Sequence, residues 1–80
     1  GDGDRTLLIV DDNARFAKTL ASEFRDRGYQ VSRAADMASL QSQADLDVDY
    51  AIVDLRLGAD SGLDAIQIIL RHSPKAKVVV

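Results

Sequence analysis

The sequence predicts an α/β fold, a doubly wound parallel sheet with helices on both faces. Three observations point there. Leu7-Leu8-Ile9-Val10 and Tyr50-Ala51-Ile52-Val53 are apolar runs of strand length, without the polar alternation of a strand covered on one face only. Each run ends in acid, Asp11-Asp12 after the first and Asp54 after the second. Segments of helical periodicity separate these runs from two further strand-like stretches, in the order βαβαβαβ.

The elements follow in order. Gly1-Asp2-Gly3-Asp4 opens a flexible lead-in over residues 1–5, and the folded domain covers 6–80. Thr6–Val10 is the first strand. A helix is predicted from Ala14 to about Arg27, with Phe16, Ala17, Leu20, Ala21 and Phe24 on one stripe. Asp12 or Asn13 suits its N-cap, and Gly28 suits a left-handed residue at its end. Tyr29–Ala35 alternates in part, as an exposed strand would. Asp36 can cap a short helix through about Ala44, carrying Met37 and Leu40. Tyr50–Asp54 is the third strand and Leu55–Ser61 a loop. Ser61 with Asp64 resembles a capping box. The helix it opens reaches His72, with Leu63, Ile66, Ile69 and Leu70 on the apolar face. Ser73-Pro74 breaks it, and Ala76–Val80 begins a fourth strand.

Composition narrows the function classes. With 46% hydrophobic and 29% charged residues in 80, the chain reads as one small globular domain. A net charge of −3 argues against nucleic-acid binding by this segment, because phosphate backbones select basic surfaces. No cysteine is present, so neither a disulfide framework nor a cysteine metal site exists, which fits a reducing cytoplasm. No apolar stretch approaches the roughly 20 residues of a membrane helix.

Parallel α/β sheets bind ligands beyond the carboxyl ends of their strands, where strand order reverses. Asp11, Asp12 and Asp54 all fall at such ends. An Asp after a strand is commonly only a helix cap, and Asp12 taken alone fits that role. Together the three suggest more. At about 4–5 Å and an effective dielectric near 20, each pair of full charges repels by roughly 4 kcal/mol. A hard divalent cation removes that penalty. Mg2+ prefers oxygen ligands and keeps waters that substrate phosphate can displace. One carboxylate can also serve as a nucleophile toward phosphorus.

Leu8-Ile9-Val10-Asp11-Asp12, Ala51-Ile52-Val53-Asp54-Leu55-Arg56-Leu57 and Asp60-Ser61-Gly62-Leu63 resemble the receiver domain of two-component response regulators. The Asp54-Leu55-Arg56-Leu57 form is similar to the redox-responsive regulator subfamily. The resemblance implies a flavodoxin-like sheet of strand order 2-1-3-4, without the fifth strand and the last two helices. It implies that Asp54 accepts a phosphoryl group from a sensor histidine kinase. It assigns Asp11, Asp12, Asp54 and the backbone carbonyl of Arg56 to Mg2+. Such a domain is not an ordinary enzyme, although it assists its own phosphorylation and dephosphorylation. DNA would be reached only through an effector domain outside these residues.

Two departures from the family pattern stand out. Gly58 replaces a common Pro, which should loosen that loop. The family's Ser or Thr after the fourth strand and Lys after the fifth are not among the 80 residues, so switching is expected to be impaired. An unpaired Lys77-Val78-Val79-Val80 edge would be a template for self-association. The first and third helices should leave part of their apolar stripes in water.

Other readings are weaker. A phosphatase with an aspartyl nucleophile needs a second acid two residues on, where Arg56 stands. A nucleotide-binding domain needs a glycine-rich loop after the first strand, and none is there. A protein–protein module on the same scaffold, without phosphorylation, remains open. His72 reads as a surface residue at a helix end, where its charge suits the dipole. Arg25, Arg27 and Arg33 read as a solvated face. Met37 and Phe16 read as core, and Tyr29 and Tyr50 as packing at strand starts, far from the acids. Ser61 lacks the His–acid arrangement of a nucleophile.

Overall fold

The apolar runs become strands because both of their faces are covered. In the computed structural model, which describes residues 5–43, 47–54, 56–57 and 60–80 (backbone alone at 56, 57, 60 and 61), β1 spans Arg5–Val10 and β3 spans Tyr50–Val53. Leu7 through Val10 are all buried, four consecutive residues, so no face of β1 meets water. β2 (Tyr29–Ala34) pairs with one side of β1 and β3 with the other, both parallel. Two residue pairs of strand length, β4 (Arg56–Leu57) and β5 (Asp60–Ser61), form a small antiparallel ribbon. β6 (Lys77–Val79) pairs parallel with β3. The main sheet therefore runs β2-β1-β3-β6, the predicted 2-1-3-4 order.

The ribbon corrects the expectation of a plain loop over Leu55–Ser61. Leu55 and Gly58 themselves lie outside the described residues, as do Gly1–Asp4 of the lead-in, Ala44 and the Ser61 side chain of the expected capping box.

Helix α1 (Ala14–Asp26) starts at the N-cap Asn13, whose Oδ1 accepts from Phe16 N at 3.0 Å. It ends before Gly28, which takes φ +92°, the left-handed region that glycine enters without steric cost. α2 (Met37–Ser42) is capped by Asp36, and α3 (Gly62–His72) crosses from β3 toward β6.

Two apolar layers flank the sheet. On one face, Leu7 and Ile9 meet Ala17 and Ala21 of α1, with Leu20, Phe24, Tyr29 and Ile52 around them. On the other, Leu8, Val10, Ala51 and Val53 meet Leu40, Ala65 and Ile69, with Met37 packed against them. Fully burying a side chain such as Ile9 stabilises by about 1.5–3 kcal/mol. α1 approaches the sheet through alanines, so the bulkier members of its stripe fall to the sides. Phe16, expected in the core, is 52% exposed. On α3 the buried residues Ala65 and Ile69 sit on a stripe rotated from the expected one. Leu63, at about 160° from Ala65 on the helical wheel, is 62% exposed, and Leu70 is exposed as well.

The end of the sheet away from the acids is tied by polar contacts. Asp49 Oδ2 accepts from Thr6 N and Thr6 Oγ1, both at 3.1 Å. Ser73, 2% exposed, accepts from Val48 N through Oγ at 3.0 Å, which satisfies a buried amide that would otherwise cost about 1–3 kcal/mol. Arg5 lies 4.3 Å from the Tyr29 ring centre, and Tyr29 meets Phe24 and Tyr50 edge-on.

Asp36 Oδ1 accepts from Ser39 N at 2.8 Å, and this backbone hydrogen bond, with a further one to the Ser39 side chain, holds the Asp36 carboxyl below its ordinary value of 3.8. A carboxyl with a depressed folded pKa contributes stability above its unfolded pKa and loses it as pH falls through the folded one. Below about pH 4, protection of the Ser39 amide against exchange, relative to an unstructured amide at the same pH, should therefore fall as Asp36 protonates. Asp36→Asn keeps a good cap and should remove that acid dependence, as read by exchange-detected NMR.

Candidate metal centre

The register of three strands builds this site. Val10 of β1 is level with Val53 of β3 and with Ala34 of β2. The residues that follow are held by the last hydrogen bonds of the ladders. Asp54 N donates to Val10 O at 2.9 Å, and Asp11 N donates to Ala34 O at 3.0 Å. β2 and β3 leave β1 on opposite sides, so strand order reverses at the crevice between β1 and β3. Asp11, Asp12 and Asp54 stand at that crevice.

One carboxylate oxygen of each residue lies within 4.8 Å of the others. Asp11 and Asp54 are half-buried and Asp12 is exposed. Asp11 is further fixed, because its Oδ1 accepts from Asn13 N at 2.8 Å. Asn13 thus holds Asp11 with its amide while capping α1 with its side chain. Sequence reasoning offered Asn13 as a cap and missed this second contact. Its signal was the Asp-x-Asn spacing of an Asx-turn.

The donor set suits a hard cation. Octahedral Mg2+, with bonds of about 2.0–2.1 Å, places its ligand oxygens roughly 3–4 Å apart. Carboxylates already within 4.8 Å need only small rotations to reach that spacing. Partial exposure leaves room for the waters that Mg2+ keeps. Arg56, the remaining predicted ligand, lies in β4, two residues beyond Asp54. A concavity of about 360 Å³, lined by Asp47, His72 and Lys75, lies at the opposite ends of the strands. His72 stays at the exposed end of α3, away from the acids.

The model of the response regulator receiver domain family matches residues 7–80. The chain belongs to this family. The receiver domain is 37% identical over 78 residues to the photosynthetic apparatus regulatory protein RegA of Cereibacter sphaeroides, covering 96% of this chain and 42% of that protein. It therefore spans less than half the length of that relative. Among solved structures it is similar to a response regulator of Burkholderia pseudomallei with a phosphorylated aspartic acid, a calcium ion and citrate. That match has a TM-score of 0.87 and 37% identity, over 94% of this chain and 45% of the other. A complex of the histidine kinase ThkA with the response regulator TrrA matches with a TM-score of 0.73 and 25% identity, over 92% of this chain and 65% of the other. The family binds a divalent metal at its acidic site, and Asp11, Asp12 and Asp54 are a cluster that could hold one here. Among the described residues of the receiver domain, no helix is long and apolar enough to cross a membrane.

Divalent metal should stabilise the receiver domain with the logarithm of its concentration over Kd, by about 1.4 kcal/mol at tenfold excess. Calorimetric melting with and without Mg2+ should show this rise. Asp12→Asn, at the exposed member of the cluster, should abolish most of it and leave the metal-free melt unchanged or higher.

Proposed function

We propose that the receiver domain accepts a phosphoryl group onto Asp54 from a histidine of a sensor kinase, with Mg2+ held by Asp11, Asp12, Asp54 and the Arg56 carbonyl. The observation that carries this reading is the convergence of three carboxylates from two strand ends at the point where strand order reverses. Asp54 Oδ attacks phosphorus, the P–N bond to the donor imidazole breaks, and the leaving nitrogen keeps the electron pair. Bound Mg2+ would offset the charge on the phosphoryl oxygens. Asp11, fixed by Asn13, holds a ligand oxygen in place before any cation arrives. The similar regulator with a phosphorylated aspartic acid supports the acceptor role, and the similar kinase complex supports the donor. A cytoplasmic setting fits both.

The resemblance also assigns a hydroxyl and a lysine that contact the phosphoryl group, and neither is among these 80 residues. Incubation with acetyl phosphate and Mg2+, followed by intact mass, should show addition of one phosphoryl group, dependent on Mg2+ and absent in Asp54→Asn. Labelling that survives in Asp54→Asn would place the acceptor elsewhere.

A further inference from the structure

β2 is the outermost strand on one side of the sheet. Ala34 O faces β1, because it accepts from Asp11 N. Successive residues of a strand alternate sides, so the polar groups of Val31 and Arg33 face outward. Those of Tyr29 face outward as well, and of these three residues the carbonyls of Val31 and Arg33 are already taken. Arg25 Nη2, from the last turn of α1, donates to Val31 O at 3.1 Å. Gln43 Nε2, from the C-cap of α2, donates to Arg33 O at 2.8 Å. The helices that enter and leave β2 pack on opposite faces of the sheet, and each sends one donor around the edge.

We propose that Arg25 and Gln43 close the β2 edge against pairing with β2 of a second copy of this chain. The registry of such a pairing makes the case. Two β2 strands meeting antiparallel about Ser32 would put Val31 opposite Arg33 of the other copy, twice. Those rungs are the hydrogen-bonded ones, because their groups face outward. All four acceptors of the pairing are then the Val31 and Arg33 carbonyls. These are the groups that Arg25 and Gln43 occupy, and the two side chains also stand where the second backbone would lie. Arg25 and Arg33, both exposed, add positive charge along the same edge, a further bar to edge pairing. This closure is independent of the phosphoacceptor reading and concerns the edge opposite β6.

The chain has no cysteine, so Ser32→Cys is a clean reporter. In the symmetric pairing Ser32 faces its counterpart across a non-hydrogen-bonded rung, about 4.5 Å between Cα atoms, within disulfide reach. Oxidative cross-linking of Ser32→Cys would be compared with and without Arg25→Ala and Gln43→Ala at one concentration. Gln67→Cys, on the exposed face of α3, sets the collision rate. With Arg25 and Gln43 in place, cross-linking at Ser32 should not exceed the collision rate. Without them it should rise at least tenfold, with circular dichroism showing a folded chain. Equal rates overturn the proposal, as does rapid cross-linking with both side chains present. Gln43→Glu keeps the size of the side chain and loses the donor. It should raise the rate severalfold alone, and an unchanged rate overturns the role of Gln43 even if the double variant fails to fold.

Discussion

The parallel pairing of β1 with β3 is the constraint on which the rest depends. Val10 and Val53 are level, buried and backed by apolar layers on both faces. One residue further, the chain leaves the sheet on both strands, and Asp11 and Asp54 emerge together. A register slip of one residue would turn every side chain to the other face. Burial of Leu8, Val10, Ala51 and Val53 on one side and of Leu7 and Ile9 on the other forbids that slip. The acidic site is therefore positioned by hydrophobic burial rather than by contacts among the acids, whose mutual repulsion opposes it.

The two ends of the sheet divide the work. At the carboxyl ends, carboxylates gather with room for water and a cation. At the other ends, Thr6, Asp49, Ser73 and an edge-on aromatic row lock the strand starts. Locking one end of β3 to β1 limits relative sliding, so the rim geometry at the far end is inherited. The lateral edges also differ. β2 is closed by side chains from its two flanking helices, while β6 presents exposed valines.

Helix packing shows where local pattern stops being informative. The α1 stripe from Phe16 to Phe24 is real, yet the contact runs through Ala17 and Ala21. Alanines let the helix come close, and Phe16 is left at the margin of the stripe. α3 carries apolar residues around much of its circumference. Ala65 and Ile69 are buried, while Leu63 and Leu70 stay outside. Periodicity finds an apolar helix, but only the position of its neighbours selects which side is covered.

The sequence by itself determined the element order, the two buried strands, the Gly28 turn and the three acids of the site. Each of these is written in a local pattern: a run without alternation, a glycine after a helix, an acid after a strand. It also carried the family resemblance, since the motifs lie within short segments around Asp11 and Asp54. Tertiary structure decided what depends on distant partners. It set the exposure of Phe16 and Leu63, the ribbon of β4 and β5, the hold of Asn13 on Asp11, and the closure of β2 by Arg25 and Gln43. Those features arise from distances between side chains and backbone groups on different elements, which no single window of sequence contains.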